Sequence, residues 1–238
     1  MRALIISGTS HKGSTYSIGR ILAEKLTDSA DISEIFLPAD FGEFCCGCAN
    51  CFVKTEEKCP HYSRLSPVTG LIDSSDVLIF TTPTYVFHAS GQMKALLDHY
   101  GWRWMVHRPE EKMFSKQAVV ISTASGMGMR SAMKDVSHSL FFWGIPRIYR
   151  YGKAVMETSW ERVKPDIKRD IDQKTDVIAG KIRSAYGKRI RVPLKTKALF
   201  MIMRMAHKNG FNEADDRYWA AKGWTDKVRP WKKSGEKA

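Results

Sequence analysis

Two stretches of the chain carry residues able to do chemistry. In Gly8-Thr9-Ser10-His11-Lys12-Gly13-Ser14-Thr15, a turn follows the strand-like run Ala3-Leu4-Ile5-Ile6-Ser7 and opens into a helix-like one. Its chemistry would be anion binding. The first N–H groups of a helix have no intrahelical partner and carry the positive end of its dipole. Ser10, Lys12, Ser14 and Thr15 add donors around them. A phosphate monoester suits such a turn. A nucleoside triphosphate loop needs Lys directly after its second glycine, whereas Ser14 follows Gly13 here. Nor does the turn read G-x-G-x-x-G, the dinucleotide fingerprint.

The second stretch holds all five cysteines, Cys45, Cys46, Cys48, Cys51 and Cys59. Four of them read C-x2-C-x2-C-x7-C, with Pro60 after the last. Thiolates at intervals of three in one loop can bend round a cubane, as in the ferredoxin run, although the fourth ligand is spaced more loosely here. Zinc, which takes paired C-x2-C knuckles set further apart, is a second option. Free or disulfide-bonded thiols without metal are a third. Cys46 is the spare, because using it leaves no regular spacing.

These residues need elements to position them. Val77-Leu78-Ile79-Phe80-Thr81-Thr82 reads as a buried parallel strand and runs into the loop Pro83 to Gly91. Met93, Leu96, Leu97 and Tyr100 then recur at helical spacing behind Ser90 as N-cap. Ala118 to Thr123 is a third strand, leading to Ala124-Ser125-Gly126-Met127-Gly128 and a further helix. Ile18, Ile21, Leu22 and Leu26 mark helix one, Ile32 to Leu37 strand two and Ile145 to Tyr151 strand five. Apolar residues from Trp160 to Ile182 mark the last helix of the sheet layer.

Thr9-Ser10-x-Lys12-Gly13-Ser14-Thr15, Pro83-Thr84-Tyr85 with Ser90-Gly91-x-x-Lys94-x-x-x-Asp98, and the Ser125-Gly126 loop together resemble the flavodoxin-like NAD(P)H-dependent FMN reductase family. The cysteine set resembles its iron–sulfur flavoprotein branch. The resemblance spans roughly residues 1 to 185 and implies an α/β fold, a doubly wound parallel sheet of order 2-1-3-4-5. It implies FMN across the carboxyl ends of strands 1, 3 and 4. Ser10, Lys12, Gly13, Ser14 and Thr15 would hold the phosphate, Pro83, Thr84, Tyr85 and Val86 would flank the isoalloxazine, and Ser125 and Gly126 would lie at its other edge. Cys45, Cys48, Cys51 and Cys59 would hold a [4Fe-4S] cluster near the phosphate loop. The family follows its last cysteine with an acidic pair; His61-Tyr62-Ser63-Arg64 stands here instead.

The expected function is an FMN-dependent oxidoreductase passing electrons from NAD(P)H to a small acceptor of flavin, quinone or nitroaromatic type. Two alternatives are an iron–sulfur flavoprotein relaying electrons between proteins, and a zinc-holding flavodoxin-like scaffold. No catalytic acid or base is named, because the redox chemistry belongs to the cofactors. His88, in the flavin loop, is the one titratable candidate for such a role, and a solvent-facing role suits it better.

Residues 1 to 188 are expected to form the FMN-binding domain, with its Cys-rich loop at 45–59, and 189 to 238 a basic, aromatic, helical C-terminal extension. Up to residue 150 the chain has 16 Lys and Arg against 14 Asp and Glu; beyond it the counts are 22 and 11. That field favours anionic partners, but no nucleic-acid-binding signature accompanies it. Ala198 to Ala206 is apolar nearly all round and must be covered. Packing on the sheet domain or on a second subunit, giving a homodimer or larger homo-oligomer, is preferred. Lying on a membrane surface, with Trp219, Trp224 and Trp231 as anchors, is the alternative. No signal-peptide pattern or spanning apolar run is present, so a cytoplasmic location with reduced thiols is expected.

Overall fold

The computed structural model describes residues 1–157 and 159–232. Alternation along each strand builds two apolar layers. In β1 (Ala3–Ser7), Leu4 and Ile6 join one buried cluster while Ala3 and Ile5 join another. The same split recurs in β3 (Val77–Thr81) and β4 (Gln117–Ala124), whose near-continuous apolar runs are buried on both faces. With the edge strands β2 (Ile32–Phe36) and β5 (Arg147–Ala154), they form one parallel sheet of order β2-β1-β3-β4-β5.

Helices cover both faces. α1 (Ser14–Leu26) buries Ile18, Leu22 and Leu26 against Ile5 and Ile79, and α6 (Pro165–Ala185) adds Ile171, Ala179 and Ile182 to that side. A short α2 (Asn50–Val53) lies within the cysteine loop. α3 (Tyr62–Ser74), α4 (Gly91–Asp98) and α5 (Met129–Phe142) cover the other face through Val68, Ile72, Met93, Leu96, Val136 and Leu140. Ser90 caps α4 as expected, its hydroxyl accepting from the Met93 N–H.

Of the boundaries that differ from the sequence expectation, three have a local cause in proline. α6 starts at Pro165 rather than Trp160, because proline suits the first helical position, whose N–H needs no partner. Trp160 and Val163 still pack on that layer from the preceding turn. β5 starts at Arg147 rather than Ile145, after Pro146, which has no N–H for the ladder. β2 ends at Phe36, one residue before Leu37, ahead of Pro38.

The tail forms α7 (Leu194–Lys208) and α8 (Glu213–Ala221). Phe200, Met203, Trp219 and Trp224 make a third cluster on Met105 and Phe114. Fully burying each such side chain stabilises by about 1.5–3 kcal/mol. Trp219 and Trp224 are therefore core residues and not membrane anchors. The apolar run divides: Phe200 and Met203 point inward, Ile202 and Met205 outward. No helix among the described residues is long and apolar enough to cross a membrane. Residues 233–238 of the expected extension lie outside the described residues.

Candidate functional site

The carboxyl ends of β1, β3 and β4 open on one side of the sheet into a cavity of about 290 Å³. Its walls include Gly13, Ser14, Thr15, Pro83, Thr84, Tyr85 and Ser125 of the expected residues. Ser10, Lys12, Val86 and Gly126 do not line it. The Ser10 hydroxyl instead donates to the Leu37 carbonyl, and the Lys12 ammonium lies 4.9 Å from the Phe36 ring centre and 5.4 Å from that of Tyr16.

The strand-end loops are tied to one another. The Ser90 hydroxyl donates to the Gly8 carbonyl at 2.7 Å, and the Ser90 N–H donates to Thr82 Oγ1 at 3.0 Å. Thr84 Oγ1 and Ser122 Oγ are 3.0 Å apart, and the Thr15 and Thr123 hydroxyls share a short bond. Gly8 packs so closely here that a Cβ would meet Ser90 Oγ at 2.6 Å. Gly13 caps α1 in an extended conformation with no side-chain cap, so the helix start faces the cavity. Ser14 Oγ is buried there without a hydrogen-bond partner in the protein. A buried hydroxyl left unpaired costs about 1–3 kcal/mol, which a bound phosphate oxygen would recover. These residues fit the phosphate end of FMN.

Beyond Thr84 the chain makes a two-residue hairpin, with Tyr85 and His88 exchanging both backbone hydrogen bonds at 3.0 and 2.9 Å. Its tip residues Val86 and Phe87 have φ of 48° and 67°. Asn-Gly is the usual solution at such a tip, and a left-handed L-residue costs roughly 1–2 kcal/mol. Val86 is 92% exposed. Gly128, at φ 94°, lets the β4 loop meet the hairpin; a Cβ would lie 2.8 Å from Thr84 Cγ2. His88 points to solvent and meets Asp135 at 3.1 Å.

The cysteine loop is built differently. Cys45, Cys46 and Cys48 are exposed, Cys51 and Cys59 half-buried, and all five are free thiols. Burial, then the neighbouring Cys59 and Cys45, push the Cys51 thiol up to about 11. Burial likewise raises Cys59, whereas a backbone hydrogen bond from Asn50 lowers Cys48. Arg108, nearly fully buried, donates to the carbonyls of Cys51 and Phe52 and pairs with Asp215 of α8. Asp215 is wholly buried and also bonds His107 Nδ1 at 2.7 Å. The Trp219 indole N–H donates to the His107 carbonyl, and the Tyr218 hydroxyl to that of Pro109. The tail thus braces the thiol loop through Arg108.

A larger cavity of about 710 Å³ lies between that loop, α3 and α8. Its two buried arginines are already paired, Arg103 with Asp73 and Arg108 with Asp215, and it is not formed by strand carboxyl ends, where ligands of open α/β sheets bind. The smaller cavity is the better candidate. Sequence reading missed its walls Thr123, Val155 and Glu157. Thr123 ends a recognised strand and was within reach of pattern reading; Val155 and Glu157 follow β5 and had no motif to mark them. Asp215 and Arg108 meet across 107 residues, which no local signal announces.

Three comparisons bear on this geometry. A curated iron–sulfur flavoprotein from Archaeoglobus fulgidus is 25% identical over 94% of this chain and its own full length. Among solved structures, a flavone reductase superposes with a TM-score of 0.58 at 15% identity, covering 81% of this chain, which spans 66% of that protein. An FMN-dependent NADH-azoreductase from Bacillus anthracis, in complex with FMN, gives a TM-score of 0.54 at 14% identity over 76% of this chain and 99% of its own. Residues 1–156 match the family model described as NADPH-dependent FMN reductase. With the β2-β1-β3-β4-β5 sheet beneath its cavity, the chain belongs to the NADPH-dependent FMN reductase family and is a flavodoxin-like, FMN-dependent oxidoreductase.

Proposed function

We propose that the cavity at the strand ends holds FMN and that the protein passes electrons from NAD(P)H to a small acceptor of flavin, quinone or nitroaromatic type. The observation that carries this reading is the unpaired, buried Ser14 hydroxyl at the start of α1, inside a cavity walled by three strand-end loops. FMN, when bound, supplies hydride acceptance and onward electron transfer. The chain's own work is placement. The α1 amino end and Ser14 bind the phosphate, Thr15 is held by Thr123, and Pro83, Thr84 and Tyr85 orient the ring from the strained hairpin. Ser125 approaches from the β4 loop. A single helix-end site without a second nucleotide fingerprint favours FMN over FAD.

The test is titration of the flavin-free protein with FMN and FAD, followed by anaerobic NADH and NADPH addition. Tighter FMN binding and nicotinamide-dependent bleaching of the flavin support the reading; failure to bind either flavin ends it. The working unit is proposed to be a homo-oligomer, because exposed apolar residues occur at the hairpin tip (Val86, Phe87) and on α7 (Ile202, Met205). Sedimentation as a monomer at micromolar concentration would remove that part.

A second reading adds a cluster held by Cys45, Cys48, Cys51 and Cys59. Besides burial, which raises Cys51 most, the neighbouring thiols add a repulsion that a cation would relieve, and thiolates at this spacing suit iron. Iron and acid-labile sulfide are the measurements. Loss on Cys48→Ser and retention on Cys46→Ser support it.

A further inference from the structure

We propose that Cys59, His61 and His99 form a mononuclear site for a zinc-class divalent ion in the cluster-free protein. The Cys59 thiol and one ring nitrogen from each histidine all lie within 4.8 Å of one another. Zn–N bonds of about 2.0–2.1 Å and a Zn–S bond of about 2.3 Å put tetrahedral ligand atoms about 3.3–3.6 Å apart. The three atoms therefore need to move by little more than one ångström. Cubane ligands sit on different irons and are spread further, so this convergence suits a single ion.

Local structure explains why the donors meet. Pro60 occupies the second position of a turn closed by the Tyr62 N–H donating to the Cys59 carbonyl at 3.0 Å. Proline presets that turn, which holds Cys59 and His61 in one tight bend, at its first and third positions. His99 follows α4 and is nearly fully buried, with the Phe41 ring centre 4.8 Å from its own in an edge-to-face arrangement. Its Nδ1 lies 2.8 Å from the Ala95 carbonyl. A carbonyl only accepts, so Nδ1 carries the hydrogen and Nε2 presents its lone pair. Metal-binding histidines are oriented in this way, by donating the other ring N–H to a carbonyl or carboxylate.

Without an ion, the His61 Nδ1–H fills the His99 lone pair at 2.9 Å. On binding, the His61 hydrogen resides on Nε2, its Nδ1 lone pair turns to the ion, and the Cys59 thiol proton leaves to solvent. Thiolate and ion together carry one net positive charge. Cys59 and His61 are half-exposed, so the fourth position faces water. Because Cys59 is common to both sets, this ion and a four-cysteine cluster exclude each other. The inference does not depend on the flavin reading, which is followed separately by FMN binding.

The experiment adds cobalt(II), then competing zinc(II), to full-length, FMN-loaded, cluster-free protein with reduced thiols. One ion per chain is expected, with thiolate-to-cobalt charge transfer and the intense visible bands of four-coordinate cobalt. Cys59→Ser should abolish the charge-transfer band. His61→Ala and His99→Gln should each weaken binding by well over about 100-fold, exceeding the roughly 10–100-fold typical of losing an outer partner. His61 is half-exposed, so its variant reports even if the buried His99 change impairs folding. Cys48→Ser should leave affinity and spectrum unchanged. Absence of stoichiometric uptake overturns the proposal, as does a band that survives His61→Ala but disappears in Cys48→Ser, which would mean thiols alone hold the ion.

Discussion

At the carboxyl ends of β1, β3 and β4, the loops bond to one another through backbone groups and small hydroxyls, Ser90 to Gly8 and Thr84 to Ser122. The cysteine loop closes short turns within itself and is gripped from outside by Arg108, whose counter-charge arrives on α8. One site inherits its rigidity from the sheet; the other borrows it from the tail. The first should tolerate loss of the tail contact, and the second should not.

The largest effect that tests this contrast is expected from Asp215→Ala. Removing one member of a buried ion pair leaves the other uncompensated and costs about 3–5 kcal/mol. Urea unfolding should show that loss, and alkylation of Cys51 should speed up, while FMN affinity of the folded protein stays within about twofold of the parent. A comparable fall in FMN affinity would show that the two regions are one mechanical unit.

Ser14→Ala comes next and probes the other side. A hydrogen bond to a charged phosphate is worth about 1.5–3 kcal/mol, so FMN should bind about 10- to 150-fold more weakly. Thiol reactivity should not change. Thr15→Ala should act mainly on stability, because its hydroxyl is already bonded to Thr123. Equal losses of FMN affinity in the two variants would contradict that division.

A smaller change is expected at the hairpin. Replacing Val86 and Phe87 by Asn and Gly relieves left-handed strain and should raise stability by about 1–2 kcal/mol in thermal unfolding. Turnover with NAD(P)H should fall, since the tip loses the apolar surface beside the cavity. Unchanged stability would show that the strain is not stored there.

The gentlest test is pH. Only the thiolate is alkylated, so a raised pKa delays reaction and a lowered one advances it. Cys48, lowered by its hydrogen bond from Asn50, should react with iodoacetamide at lower pH than Cys51, whose rate should keep climbing toward about pH 11. Peptide mapping after timed labelling orders the two. Reversal of that order in the Asp215→Ala variant would tie the Cys51 environment to the tail.

Much of the cavity rim at the strand ends was readable, since strands, turn and helix starts are local and periodic. Ser14, Thr15, Pro83, Thr84, Tyr85 and Ser125 reach the cavity walls. Lys12 does not, because two aromatic rings offer its ammonium a nearer partner than the cavity does. Ser10 is diverted in the same way by the Leu37 carbonyl. For Trp219 and Trp224 the sequence left packing and membrane anchoring as two options, packing preferred, and burial against Phe114 and Phe200 places them in a core.

By itself the sequence determined the sheet: apolar runs of strand length separated by helical repeats, with glycine, serine and threonine where strands hand over to helices. It also determined which residue types stand at three strand ends and in the thiol loop. Only the tertiary structure decided which of those side chains face a cavity, and that Asp215 would brace Arg108 and His99 would meet Cys59 and His61. The physical reason is range. Backbone propensity and periodicity act over a few residues, whereas partners for buried charges, lone pairs and hydroxyls are chosen by whatever packing brings within hydrogen-bonding distance.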